Sequence, residues 1–296
     1  MLSIKNDSHD PAFCLAAEEF LLENYTQGEF LMLWSGEKSV ITGKFQNIYE
    51  EVSLLECKKN NIGIFRRNSG GGTVYHDLGN INFSVFADKG ENSPDYERFL
   101  TPIVRALCSF GIPAELGKSF DITVGGKKVS GNAQSVHKNR VMHHGTLLFN
   151  TDLGVLSSVT GHASAKITSK AIKSNPSPVC NMKPFVPNLT TDAFAEGIKN
   201  ALCSGEVCFT KEEFVEINRI ADEKYRTWEW NFGRSPAFEL KTKSISLSAK
   251  NGVILSADPY SDALVGMKLI PTVIFDKIQR SANKAEAEKI VCEIFY

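Results

Sequence analysis

No stretch of this chain approaches the roughly 18 consecutive apolar residues that a bilayer-spanning helix needs, so none of it reads as a transmembrane segment. Nor is there an excess of one charge. The 33 Lys+Arg stand against 34 Asp+Glu, a net charge of −1, which excludes a globally basic nucleic-acid binder. No Cys-x-x-Cys pair exists, and the cysteines, 7 in all, are odd in number and scattered among apolar neighbours. Neither a zinc ribbon nor a disulfide framework is expected; most cysteines should be small buried hydrophobes in a reducing cytoplasm. The first ten residues are polar and lack the apolar centre of a secretion signal, which agrees with a cytoplasmic location away from membranes. Also missing are Gly-x-x-x-x-Gly-Lys-Ser/Thr, Gly-x-Gly-x-x-Gly ahead of a helix, and a Gly-x-Ser-x-Gly elbow. P-loop kinases, Rossmann dehydrogenases and serine hydrolases of the elbow type are therefore disfavoured.

What is present is an ordinary globular composition, 42% hydrophobic and 23% charged over 296 residues, without repeats or low-complexity tracts. Asp10 as cap, Pro11 at the first helical position and Phe13, Ala17, Phe20 and Leu21 at helical spacing predict an opening helix reaching Asn24. Short β-rich runs follow at Phe30–Trp34, 39–45 and 62–66, with a helical stretch near 52–60 and a strand at 80–87. A helix is expected over 101–110, capped by Thr101 with Pro102 at its first position. Gly125-Gly126 reads as a hairpin turn between strands at 120–124 and 128–136, with another strand at 140–150. Helices follow at Thr191–Leu202 and 211–225. After about residue 240 come a hairpin around Asn251-Gly252 and helices at 271–280 and Lys284–Phe295. The expected class is α+β (mixed α/β), with a large domain at 1–239 and a small α+β domain at 240–296.

The chemistry is concentrated in three segments. The first runs from Arg66 to Asn80 and contains Gly70, Gly71 and Gly72, followed by Thr73, Val74, Tyr75 and His76. Consecutive glycines destabilise helix and strand interiors, but they let backbone N–H groups approach an anion without side-chain interference. Arg66 and Arg67 add forked donors suited to carboxylate or phosphate. The second segment is Asp121 to Gln134. There Lys128, Ser130 and Asn132 share one face of a strand, and Gly131 and Ala133 leave room for the lysine to reach a ligand. The third is His143-His144-Gly145-Thr146. Adjacent strand histidines face opposite sides, so they make a poor joint metal site.

These segments, in this order, resemble the lipoate–protein ligase A family. The likeness rests on residues 66–80, on Asp121-Ile122, on Lys128-Val-Ser-Gly-Asn-Ala133 and on His143-His-Gly-Thr-Leu-Leu148. Val40 to Asn47 and Trp228 to Ala237 support it. The resemblance implies a catalytic domain like those of biotin–protein ligases and class II synthetases. It implies ATP-dependent activation of lipoate as lipoyl-AMP, then transfer to a lysine of an acceptor lipoyl domain. That acceptor would be a 2-oxoacid dehydrogenase E2 subunit or the glycine-cleavage H protein.

Carried over by position, Lys128 is the catalytic lysine reaching the carboxylate and α-phosphate. Arg67, Gly70 to His76, Asp121, Gly131 and Ala133 join it around ATP and lipoyl-AMP. The lipoate slot falls to Trp34, Arg67, Gly72, His144 and Gly145, with Val74, Phe83 and Leu147 as further walls. Mg2+ would neutralise the pyrophosphate, with Asp121 as its candidate ligand or as an orienter of Lys128. Two alternatives remain open on the sequence: an ATP-independent octanoyl or lipoyl transferase using a cysteine nucleophile, and a non-catalytic lipoyl-binding module.

Overall fold

The computed structural model describes residues 1–91, 94–161 and 165–296. Asp10 accepts a hydrogen bond from Ala12 N at 2.9 Å and Pro11 opens the helix, so Pro11–Asn24 forms as its caps dictate. The helix is buried almost all round because it lies between a sheet and a second helix, Lys211–Ile220.

The central sheet has six strands in the order Asn132–His137, Arg140–Leu148, Asn80–Asp88, Phe30–Trp34, Leu2–Lys5 and Gly205–Cys208. The first four pair antiparallel; Leu2–Lys5 runs parallel to both of its neighbours. Alternation along the strands divides the side chains between two cores. Met32, Trp34, Phe86 and Met142 pack on the opening helix. Leu31, Phe83, Val85 and Val141 pack on the opposite face with residues of Tyr96–Ser109 and Thr191–Leu202. Each such fully buried side chain contributes about 1.5–3 kcal/mol.

Two three-stranded sheets carry the sequence motifs. In one, Ser39–Thr42 lies between Gly63–Arg66 and Val74–His76, so the glycine loop joins the two outer strands. The other is Ala114–Leu116, Ile122–Val124 and Lys127–Ser130. Its hairpin turns at Gly125 and Gly126 with φ of +56° and +74°, as a tight turn of this hand requires. A four-stranded sheet completes the fold: Lys166–Ser169, Phe238–Lys241, Ser246–Lys250 and Val253–Asp258. Pro271–Ser281 and Lys284–Phe295 pack on it through Ile274, Ile278, Ile290 and Ile294. Among the described residues no helix is long and apolar enough to cross a membrane.

Several local expectations are corrected. The helix expected from Thr101 begins at Tyr96, and Pro102 sits inside it. Asp95 caps Arg98 N, and the buried stripe Phe99, Leu100, Ile103 and Leu107 starts before the proline, so packing outweighs the lost hydrogen bond. The strand expected over 128–136 divides at Gly131 between two sheets. Of the free cysteines only Cys14 and Cys57 are buried; Cys108, Cys208 and Cys292 are exposed.

Arg66 is also not what its sequence suggests. It is fully buried, and its guanidinium donates to the carbonyls of Gly43, Gln46, Trp230 and Asn231 and to Ser235 Oγ. It ties the 43–47 turn to the Trp228–Asn231 helix and spends its donors on protein acceptors. Arg66→Met would strand those carbonyls, so we expect a loss of about 3 kcal/mol or more and a Tm lower by roughly 10 °C, measured by thermal denaturation.

Candidate active site

The glycine loop is held rigidly from below. A Cβ on Gly43 would lie 2.2 Å from Gly71 O, so only glycine lets the loop settle there. Lys44 N donates to Ser69 O at 2.8 Å, and Gly71 adopts a φ of +87°. Arg67 knits the interior: Nε donates to Ser69 Oγ at 3.1 Å, and Nη2 to Gly70 O at 2.6 Å and Gly72 O at 2.7 Å. Its Nη1 donates to Ile41 O at 3.2 Å, which accounts for one of the two N–H groups on that nitrogen. Burial lowers the Arg67 guanidinium to about 10, against the opposing pull of Glu18.

Beside the loop lies a cavity of about 620 Å³. Leu15, Trp34, Ile41, Val74 and Leu148 supply apolar wall, and Arg67, Lys128, Asn132 and Thr73 supply polar groups. Such a mixture suits a ligand with an aliphatic body and an anionic head. A buried network borders it. Glu18, only 3% exposed, accepts from Ser84 Oγ at 2.5 Å and pairs with His144 Nδ1 at 3.0 Å, while His144 Nε2 bonds Ser69 Oγ at 2.6 Å. Burial pushes the Glu18 carboxyl up, yet His144, Ser84 and Trp34 together hold it below the usual carboxylate range.

Lys128 reaches the cavity from the hairpin sheet. A Cβ on Gly131 would stand 3.2 Å from Lys128 Cε and 3.3 Å from Nζ, so this glycine makes the lysine's space. Backbone bonds fix the lysine's own position: Lys128 N donates to Pro178 O at 2.8 Å, and Cys180 N to Lys128 O at 3.1 Å.

Residues 10–203 match the family model for the lipoyl protein ligase A/B catalytic domain. The chain is 38% identical over 272 residues to lipoate–protein ligase 1 of Staphylococcus aureus, covering 87% of this chain and 83% of that one. It is likewise 38% identical over 251 residues to a lipoate–protein ligase of Bacillus subtilis, covering 81% and 76%. The chain belongs to the lipoyl protein ligase family. Its fold is similar to that of a lipoate–protein ligase A bound with ATP, with TM-score 0.68, 28% identity and coverage of 79% of this chain and 98% of that one. It is similar also to a Thermoplasma acidophilum protein with bound lipoic acid, with TM-score 0.66, 29% identity and coverage of 78% and 98%. A third likeness is to the bipartite lipoate protein ligase of that archaeon, studied with its E2 lipoyl domain: TM-score 0.66, 28% identity, coverage 79% and 96%.

Within this ligase the motif residues are placed as follows. Trp34, Arg67, Gly72 to His76, Lys128, Gly131, Ala133, His144 and Gly145 line the one cavity. Gly70 and Gly71 lie in the loop outside that lining. Asp121 lies outside it too, its carboxylate against Gly117 at the base of the hairpin. Phe83 and Leu147, read as slot walls, belong to the other core: strand alternation turns them away and brings in Leu148 and Asn82. Sequence reasoning missed Glu18, Asn82 and the segment 174–179. An acid inside the apolar run of the opening helix was the available signal for Glu18; nothing local marked the other two.

The two strand histidines part company as expected. His143 stacks on Phe83 and Phe99 and meets the edge of Tyr96, while His144 faces the cavity. Burial lowers His143 to about 3, helped by His144; burial, Arg67 and His144 lower His76 to about 3 as well. Between these values and the ordinary 6.5 the folded protein binds fewer protons than the unfolded chain. Stability therefore rises with pH through that window and is lost as pH falls through it, by up to about 1.4 kcal/mol per pH unit for each histidine. Tm should drop between about pH 6.5 and 5, and His143→Phe should flatten the dependence. A Tm indifferent to pH there would refute the two depressed values.

Proposed function

We propose that this cavity activates lipoate with ATP to form lipoyl-AMP and pyrophosphate, and then passes the lipoyl group to the ε-amine of a lysine on an acceptor lipoyl domain, releasing AMP. The observation that carries the reading is the convergence of Lys128, Arg67 and the glycine-loop backbone on one cavity with apolar walls. Activation sets a carboxylate against a phosphate, and two anions repel. Fixed cationic groups offset that repulsion in a site where little water screens them, and they need no reorganisation when the reaction occurs. In this reading Lys128 contacts the carboxylate and the α-phosphate, and Arg67 turns its remaining Nη1–H to the ligand while holding the loop. Leu15, Trp34 and Val74 receive the aliphatic chain.

Among the described residues no group of three His, Cys, Asp or Glu side chains is arranged to hold a metal, and Asp121 lies outside the cavity. Magnesium therefore enters the proposal with ATP, as the substrate's counter-ion, and no step of the protein's own is routed through it. Asp121 then bears on the hairpin that presents Lys128.

The acceptor is proposed to be an E2 lipoyl domain or the glycine-cleavage carrier, and the compartment the cytoplasm. We assign catalysis to 1–239 and an accessory role to 240–296, whose sheet also includes the strand Lys166–Ser169.

Incubation with apo-lipoyl domain, lipoate and ATP should add one lipoyl group to the acceptor by mass spectrometry, with nothing added when either small molecule is omitted. Modification without ATP would favour the cysteine transferase instead. No cysteine lines the cavity among the described residues, and burial raises the Cys180 thiol, so it is a poor thiolate. Cys180→Ser should accordingly keep turnover within about twofold, since the thiol is partly buried and takes no part in the reaction.

A further inference from the structure

Two consecutive carboxylates, Glu50 and Glu51, stand at the end of the short helix Ile48–Glu51. Both are spent on one segment, residues 169–180, which crosses the site as a strap. Glu50 accepts from Ser169 Oγ at 3.0 Å and pairs with Lys173 Nζ at 2.6 Å. Glu51 is only 5% exposed, and both its oxygens accept from one residue: Oε1 from Ser174 N at 3.0 Å, Oε2 from Ser174 Oγ.

That hydroxyl is fully committed. It gives its proton to Glu51 and accepts from Thr73 N at 2.9 Å and Gln46 Nε2 at 3.1 Å. Gln46 Oε1 in turn accepts from Gly43 N and Thr73 Oγ1, each at 2.9 Å, so the contact reaches the floor of the glycine loop. At its other end the strap is stitched to the backbone of Lys128 through Pro178 O and Cys180 N. One segment therefore joins the glycine loop to the strand of the catalytic lysine, and Ser174 to Val179 form a wall of the cavity between them.

We propose that Glu51 is a positioning residue: by gripping Ser174 it keeps the strap closed between the glycine loop and Lys128, so that the acyl-adenylate stays in the cavity until the acceptor lysine arrives. The inference rests on the adenylating function proposed above. A carboxylate is needed because it accepts twice. A glutamine offers a single acceptor oxygen and an N–H₂ that would face a donor, forcing the serine hydroxyl to turn and give up Thr73 N. An opened strap leaves the ligand's anhydride exposed to water and lets it diffuse away.

The test compares pyrophosphate released with lipoyl groups transferred, and assays free lipoyl-AMP in the filtrate, for wild type, Glu51→Gln and Glu51→Ala with apo-lipoyl domain present. Wild type should release close to one pyrophosphate per transfer. Glu51→Ala should leak, its ratio and its apparent KM for ATP rising on the order of tenfold, with Glu51→Gln between the two. A merely structural role would lower Tm and active fraction while leaving the ratio at the wild-type value, and a folded Glu51→Ala with that ratio would overturn the proposal. If Glu51→Ala does not fold, Ser174→Ala removes the hydroxyl half of the grip from the strap side, keeping the bond from Ser174 N, and must show a leak in the same direction. A wild type that makes no lipoate-dependent pyrophosphate would overturn the adenylating function itself, a result distinct from tight coupling in the variants.

Discussion

Lys128→Ala is expected to slow lipoyl-AMP formation by about 10²–10³-fold or more while leaving Tm within a few degrees of wild type. The two halves of this expectation come from different parts of the structure. Lys128 is held in place by its backbone, through Pro178 O and Cys180 N, and alanine keeps both bonds. Its side chain is half-buried at the cavity and fills the space that Gly131 leaves open, so its loss removes a charge from the site and little packing from either core. Acyl-adenylate formation is where that charge acts, since the carboxylate and phosphate must approach against their mutual repulsion. Single-turnover kinetics with labelled ATP, run beside a thermal melt, separate the two effects. A folded Lys128→Ala that formed adenylate at near wild-type rate would remove the lysine from the mechanism.

Gly79→Ala should do the reverse and strike stability first. A Cβ there would lie 2.0 Å from Asn150 O, 2.4 Å from Asn150 C and 2.9 Å from Thr151 N, all backbone atoms. Those atoms cannot drift away, because Asn150 N donates to Gly79 O at 2.8 Å and Asp77 binds Gly79 N and Asp152 N at 2.9 and 2.8 Å. Overpacking against fixed backbone costs about 3 kcal/mol, or roughly 10 °C in Tm. Gly79 also joins the strand holding His76 to the strand holding Asn82, so any remaining folded protein should carry a displaced cavity wall. Gly70→Ala is the control. Its nearest neighbour would be Phe45 Cδ2 at 3.9 Å, and its Tm should match wild type. Equal melting of both variants would show that the close approach at Gly79 is not a constraint.

Much of this site could be read from the sequence because its pieces are contiguous. The glycine run, the lysine beside Gly131 and the paired histidines each lie within a few residues, and local rules place them on a loop, a hairpin and a strand. The same local rules fixed the opening helix from Asp10 and Pro11 and the hairpin from Gly125 and Gly126. They failed where long-range packing decides. Arg66 and Arg67 are adjacent and alike in sequence. Yet Arg66 is consumed by carbonyls of the Trp228–Asn231 helix, more than 160 residues away in the chain, and Arg67 by the glycine loop. Pro102 lies inside a helix because the apolar stripe ahead of it is worth more than the bond it removes. Glu18, 126 residues from His144, and Ser174, 123 residues from Glu51, become partners only once the sheets are assembled. Residues 174–179, with prolines at 176 and 178, form a wall of the cavity that no local pattern announces.

The central chemistry proposed for this cavity is the joining of lipoate to AMP. The direct test is ATP–pyrophosphate exchange with purified protein and magnesium, with and without lipoate and without any acceptor. Exchange should require lipoate and be abolished in Lys128→Ala. A protein that binds lipoate and yet shows no lipoate-dependent exchange would contradict this chemistry.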